Sequence, residues 1–260
     1  MPRKFARYGW IPDLPDRRDF VFRTPRRVLA KLPAKVDLTS QCPAVYDQGE
    51  IGSCTANAIG GAIEFDQMRQ KLREVFLPSR LFIYYNERVM ENTINEDAGA
   101  MLRDGIKSVA KQGVCPETMW PYDPTPYPPN SHLAKKPSAS CYKEAVKHTA
   151  VKYERVPRSL SQMKGCLASG YPFVLGFTVY ESFENDEVTR TGKMPMPGRR
   201  EHVIGGHAVL AVGYDDRQNR FRARNSWGTG WGLEGYFTMP YAYLIDDNLS
   251  DDFWKIELVS

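Results

Sequence analysis

Near residue 149 the hydrophobic period of this 260-residue chain changes, and that change limits the folds open to it. Before it, Ala58, Ile59, Ala62, Ile63, Phe65, Met68 and Leu72 recur at three- and four-residue steps, which reads as a helix opening at Cys54. Residues 78–86 read as a second helix with Ser79 as its cap, and residues 101–110 as a third that ends near Gly113. After the change, residues 171–180 and 207–214 read as strands, 215–219 as a turn, and 220–224 and 235–239 as further strands. Helices over about 45–118 followed by strands over about 149–240 make an α+β plan. The proline-rich residues 121–142 between them read as an ordered loop. A hydrophobic content of 42% suffices for a core, arranged as one large domain or as two lobes sharing a cleft.

The charge is uneven. Residues 1–31 carry nine Lys/Arg against three Asp, a net +6, which leaves −2 for the rest of a chain whose total is +4. This basic extension cannot bury a core alone, but Tyr8, Trp10, Phe20 and Phe22 could anchor it on one. With the body near neutral, a nucleic-acid partner is not expected. No run of about 18 apolar residues suggests a membrane span, so no membrane partner is expected either. The first seven residues lack an apolar signal core. The default expectation is therefore the cytoplasm, with leaderless export as the alternative, and reduced thiols. Cys42, Cys115, Cys141 and Cys166 could pair in three ways or not at all, and no Cys-x-x-Cys suggests zinc. No metal and no cofactor are expected.

Three short runs carry chemistry. Cys54 follows Gly52-Ser53 and lies six residues after Gln48. In the first turn of a helix its thiolate would be favoured by the positive end of the dipole. Downstream come Gly206-His207-Ala208-Val209 and Arg224-Asn225-Ser226-Trp227-Gly228. A Cys, a His and an Asn in that order are the parts of an activated thiol nucleophile. Taken singly, each has a bland reading: a buried structural Cys, a core His on a strand, a turn Asn. His202, five residues before His207, is the one rival base.

At these residues the chain resembles the papain-like cysteine peptidases, and within them the bacterial branch. The resemblance covers about residues 32–258 and extends through Thr229-Gly230-Trp231-Gly232 and Gly235-Tyr236-Phe237. Ile51 and Thr55 stand where many members have a Cys and an aromatic, and 153 positions separate Cys54 from His207. The resemblance implies a two-lobe fold, a helical N-terminal lobe and a β-barrel-like C-terminal lobe, with the active-site cleft between them. It implies a cysteine endopeptidase that hydrolyses peptide bonds through a thioester acyl-enzyme. Cys54 would be the nucleophile and His207 its base. Asn225 would orient the His ring under Trp227, and Gln48 would donate to the oxyanion together with the Cys54 backbone N–H. Gly99 would pair with an extended peptide backbone. Met101, Gly176 and Ala208 would line the pocket for the second residue before the scissile bond, with Asp251 near its floor or simply solvated. A peptide or protein is the implied substrate, and a monomer the expected state. The same machinery would also serve a Cys-dependent acyltransferase or amidase. A catalytically silent binding protein is the third reading. Residues 1–31 are expected to be regulatory and prosegment-like, or else a stabilising strap.

Overall fold

The computed structural model describes residues 7–125, 132–149 and 151–258. Residues 1–6 of the basic extension and 126–131 of the proline-rich stretch lie outside the described residues.

The chain begins with a two-residue strand β1 (Trp10–Ile11), a short helix α1 (Arg26–Leu29) and strand β2 (Lys35–Asp37). The helical part follows as α2 (Cys54–Arg69), α3 (Arg80–Glu91), strand β3 (Ala100–Met101) and α4 (Leu102–Gln112). Helix α2 stops at Arg69, so Leu72 of the periodic series falls beyond it and is exposed. Thirteen of its sixteen residues are buried, including Thr55, Asn57, Asp66 and Gln67. It therefore runs through the interior between α3 and α4 on one side and the sheet on the other. Ser79 caps α3 by accepting from the Phe82 backbone N–H at 3.2 Å. Gly113, at φ +76°, ends α4 in a conformation that a residue with a Cβ resists. The segments 70–79 and 92–99 between these helices are not helical.

After α5 (Ala139–Ala145), the chain builds a seven-stranded sheet. Its elements are β4 (Val151–Arg155), α6 (Leu160–Ala168), β5 (Phe173–Tyr180), α7 (Asp186–Thr191) and β6 (Val203–Asp215). β7 (Arg220–Arg224), β8 (Tyr236–Pro240), α8 (Tyr241–Ile245) and β9 (Ser250–Leu258) complete it. The spatial order is β4-β9-β5-β6-β7-β8, with β2 on the far end of β6, and every pairing is antiparallel. β4 and β8 do not meet, so the sheet stays open and its barrel character is partial. β9 extends the strand-rich part beyond residue 240 and sits between β4 and β5, second from one edge of the sheet. The fold is α+β, with helices on one side of a cleft and this sheet on the other.

Residues 7–31 run along the body. β1 pairs parallel with β3, and the Ala100 N–H donates to Gly9 O at 2.7 Å. Further on, Phe22 N donates to Arg155 O at 2.8 Å and Arg155 N to Phe20 O at 2.7 Å. Tyr8, Trp10 and Phe22 are buried. Phe20, expected as an anchor, points to solvent at 74% exposure, and Phe22 is buried instead.

Candidate active site

Cys54 is the first residue of α2 and is fully buried. The turn before it is held from several directions. Gly52 N donates to both oxygens of Asp97 at 3.1 Å, and Tyr84 OH donates to Asp97 at 2.6 Å. Ser53 Oγ and Tyr122 OH are 2.7 Å apart, and Tyr122 OH donates to Gln48 O at 2.9 Å. Asp97, Tyr84 and Tyr122 were not legible as site residues, since no short spacing ties them to Cys54.

His207 lies on β6, and its Nε2 is 2.8 Å from Asn225 Oδ1, just past the end of β7. An amide oxygen only accepts, so Nε2 carries the proton and Nδ1 holds the lone pair. Nδ1 is buried and has no hydrogen-bond partner. Asn225 Oδ1 also accepts from Ser226 N at 2.9 Å, which fixes the amide. Trp227 stacks on the His207 ring with centroids 4.9 Å apart at 29°. Burial holds the His207 pKa down to about 3, with the Arg7 cation adding to the effect and the Asn225 hydrogen bond opposing it.

Gln48 joins the two halves. Its backbone N donates to Ser226 O at 2.8 Å, and its Oε1 accepts from Ser226 Oγ at 2.5 Å. Its Nε2 donates to Ile51 O at 2.7 Å and to Arg7 O at 3.0 Å. The loop carrying Gln48 and the loop carrying Asn225 and Trp227 are thus stitched by backbone as well, through the Asp47–Trp227 bridge and Gly228 N to Tyr46 O at 2.9 Å. His202 lies outside this cluster, exposed, with its backbone N–H directed at Glu181.

The residues expected to meet substrate also converge. Ala208, Gly176 and Asp251 form one row across β6, β5 and β9. A Cβ on Gly176 would lie 1.9 Å from Trp10 Cε2, so the glycine leaves the space the indole fills. Met101 pairs with Ile11, and the Gly99 backbone passes Gly9. The Asp251 carboxylate is 45% exposed and faces Arg158 at 3.2 Å and Arg155 at 3.8 Å. Its neighbour Asp252, at φ +57°, is the acid turned towards Trp10. Asp252 Oδ2 accepts from Trp10 Nε1 at 3.0 Å and from Asp13 N at 2.8 Å, while Oδ1 accepts from Arg155. Burial and the facing Asp13 push Asp252 up to about 7. No sequence signal separates Asp252 from Asp251; the positive φ that swings one inward is a tertiary result.

Among the described residues no cluster of His, Cys, Asp and Glu could hold a metal ion, and all five cysteines are unbridged. No helix among them is long and apolar enough to cross a membrane.

Comparison with known proteins shows the family. An uncharacterized peptidase C1-like protein of Acanthamoeba polyphaga mimivirus is 43% identical over 97% of this chain and 87% of its own length. The structure of xylellain, a cysteine protease from Xylella fastidiosa, superposes with a TM-score of 0.94 at 49% identity, over 100% of this chain and 98% of that one. Digestive procathepsin L 3 of Tenebrio molitor larval midgut shares the fold at a TM-score of 0.71 and 18% identity, over 98% of this chain and 77% of that one. Residues 32–245 match the description Papain family cysteine protease, and the chain belongs to that family of thiol proteases.

Proposed function

We propose that this protease works through Cys54, His207, Asn225 and Gln48 by way of a covalent thioester. The observation that carries the reading is the His207–Asn225 pair under Trp227, which leaves the buried Nδ1 as the basic nitrogen. With a substrate in the cleft, Nδ1 takes the Cys54 proton and the thiolate adds to the peptide carbonyl carbon. The oxyanion receives N–H bonds from Gln48 Nε2 and the Cys54 backbone. Gln48 Nε2 already donates to a peptide carbonyl, that of Arg7, which supports this role. The imidazolium then protonates the leaving amine, and water, deprotonated by His207, hydrolyses the thioester. Trp10 stands in for the side chain of the second residue before the scissile bond. When it leaves, Gly176, Ala208 and Met101 form the walls of that pocket and Asp252 offers an acceptor at its end.

Residues 7–31 are read as a restraint on access, since Arg7 O, Tyr8 and Trp10 occupy the positions a substrate needs. The test of the central reading pairs a dipeptidyl fluorogenic amide with an epoxysuccinyl thiol inhibitor. Cys54→Ala is expected to abolish hydrolysis and inhibitor labelling while the melting temperature stays within a few degrees of wild type. Hydrolysis persisting in Cys54→Ala would end the proposal. Transfer to an added amine without release of acid would favour the acyltransferase reading.

A further inference from the structure

One contact of the N-terminal segment has a chemistry of its own. The Arg7 guanidinium lies 4.2 Å from the centroid of the Trp227 ring. Its Nη2 also reaches both oxygens of Glu184, at 2.7 and 2.6 Å. Glu184 ends the single 3-10 turn Glu181–Glu184 that follows β5, and Tyr8 OH donates to the same carboxylate. The pair is only partly exposed, 29% for Arg7 and 19% for Glu184. An aromatic face on one side and a carboxylate on the other is a site for a planar cation. Its surroundings carry the matching sign: Glu181 on the same turn, and Glu201, which accepts from Ser182 N at 3.0 Å.

The position of this site fixes what it would read. Arg7 and Trp227 meet beside the His207 ring, whereas Trp10 packs against Gly176 and Gly206, so the two side chains hold separate places on the segment. In the mechanism above, on which this inference rests, Trp10 fills the pocket for a residue before the scissile bond. His207 delivers its proton to the leaving amine, so the residues after that bond leave past His207 and Trp227.

We infer that Glu184 and Trp227 form a specificity subsite for an arginine or lysine side chain just after the scissile bond, and that Arg7 occupies it until substrate does. The segment need not run in the direction of a substrate for this to hold, because the site grips a side chain and not a backbone. No bond is made or broken here. Glu184 is a specificity-determining residue, and it takes no part in the chemistry.

The test uses the full chain and internally quenched peptides that are identical except at the first two positions after the cleaved bond, each carrying Arg, Lys, citrulline, Ala or Glu. Cleavage positions are read by mass spectrometry. Docking of residues 7–31 lowers kcat/KM for every peptide by the same factor, so ratios between peptides are free of it. Arg and Lys are expected to exceed citrulline about tenfold at one of the two positions, citrulline having the shape of Arg without its charge. Glu184→Gln should bring that ratio to within about twofold, Glu184→Asp should restore part of it, and Glu184→Lys should favour the Glu peptide. An Arg-to-citrulline ratio equal in wild type and Glu184→Gln overturns the inference and leaves peptidase activity standing. Failure to cleave any peptide, with Cys54 still unlabelled by the epoxysuccinyl inhibitor, overturns the mechanism and this inference together.

Discussion

Gln48 uses both ends of its amide. Oε1 is fixed by the Ser226 hydroxyl, which orients Nε2 towards the carbonyl of whatever lies beside Cys54. A donor held in place before the reaction contributes mainly when charge develops on the oxygen. Gln48→Ala is therefore expected to lower kcat by on the order of 10²–10³ with KM little changed. A change confined to KM, measured on a short fluorogenic amide, would mean that Gln48 contacts only the resting substrate. The residues with sequence-local signatures, Gln48, Cys54, His207 and Asn225, were legible because the chemistry demands a residue type at a fixed place in a short run. Ser226 was quoted only as part of a motif, and its hold on Gln48, 178 positions away, is visible only once the two loops meet. Glu184 and Asp252 carried no local mark at all. Each is one acid among several, and only burial beside a partner singles it out.

Among the secondary-structure elements, the three helices and the strands around His207 were legible, α4 by its one buried face and α2, β5 and β6 by apolar stretches buried nearly all round. β9 did not. It lies second from one edge of the sheet and is buried on both faces through Phe253, Trp254 and Ile256, while Asp251, Asp252, Lys255 and Glu257 break its apolar run. Those charges are matched tertiarily, Asp252 by Arg155 and Lys255 by Glu154 and Glu257, which no window of sequence can anticipate. The segment holding β1 offers a sharper test of access. A Cβ on Gly9 would lie 1.8 Å from Gly52 O, a backbone atom beside Cys54 that cannot yield cheaply. Gly9→Ala should therefore unseat Tyr8 and Trp10 without touching any group of the reaction, and raise kcat/KM at least fivefold. Unchanged kcat/KM with a lowered melting temperature would make the segment a stabilising strap instead.

The full chain shows how little net charge says about contact. The basic extension was expected to anchor on the body through Tyr8, Trp10, Phe20 and Phe22, its net +6 facing a body of −2. Its three acids meet the body as its cation Arg7 does: Asp13 accepts from Arg103 N and Trp254 Nε1, Asp16 lies 3.8 Å from Lys107, and Asp19 pairs with Arg103 at 2.6 Å. Arg17, Arg18, Arg23, Arg26 and Arg27 stay exposed. The burial of Asp252 against Asp13 makes overall stability depend on pH. With its pKa raised to about 7 from an ordinary 3.8, the folded protein holds a proton that the unfolded chain releases. Stability from this group is full below pH 3.8 and is lost as pH rises towards 7. Asp252→Asn cannot titrate, so the melting temperature of wild type relative to this variant should fall between pH 4 and pH 7. The scale is roughly 2–4 °C per kcal/mol for a protein of this size. A gap that stays constant across that range, measured by scanning fluorimetry, would show that Asp252 titrates normally.

The hydrogen bond between Trp10 and Asp252 spans 242 positions, nearly the whole polypeptide. On a ribosome, Trp10 emerges before the Cys54 helix, and Asp252 with its strand long after both. β9 also pairs with the edge of β5, the strand of Gly176, that lies opposite β6. A partly synthesised chain thus has a thiol but no finished wall for a substrate to rest on. Strand β9 completes that wall and also supplies the anchor that draws Trp10 across it.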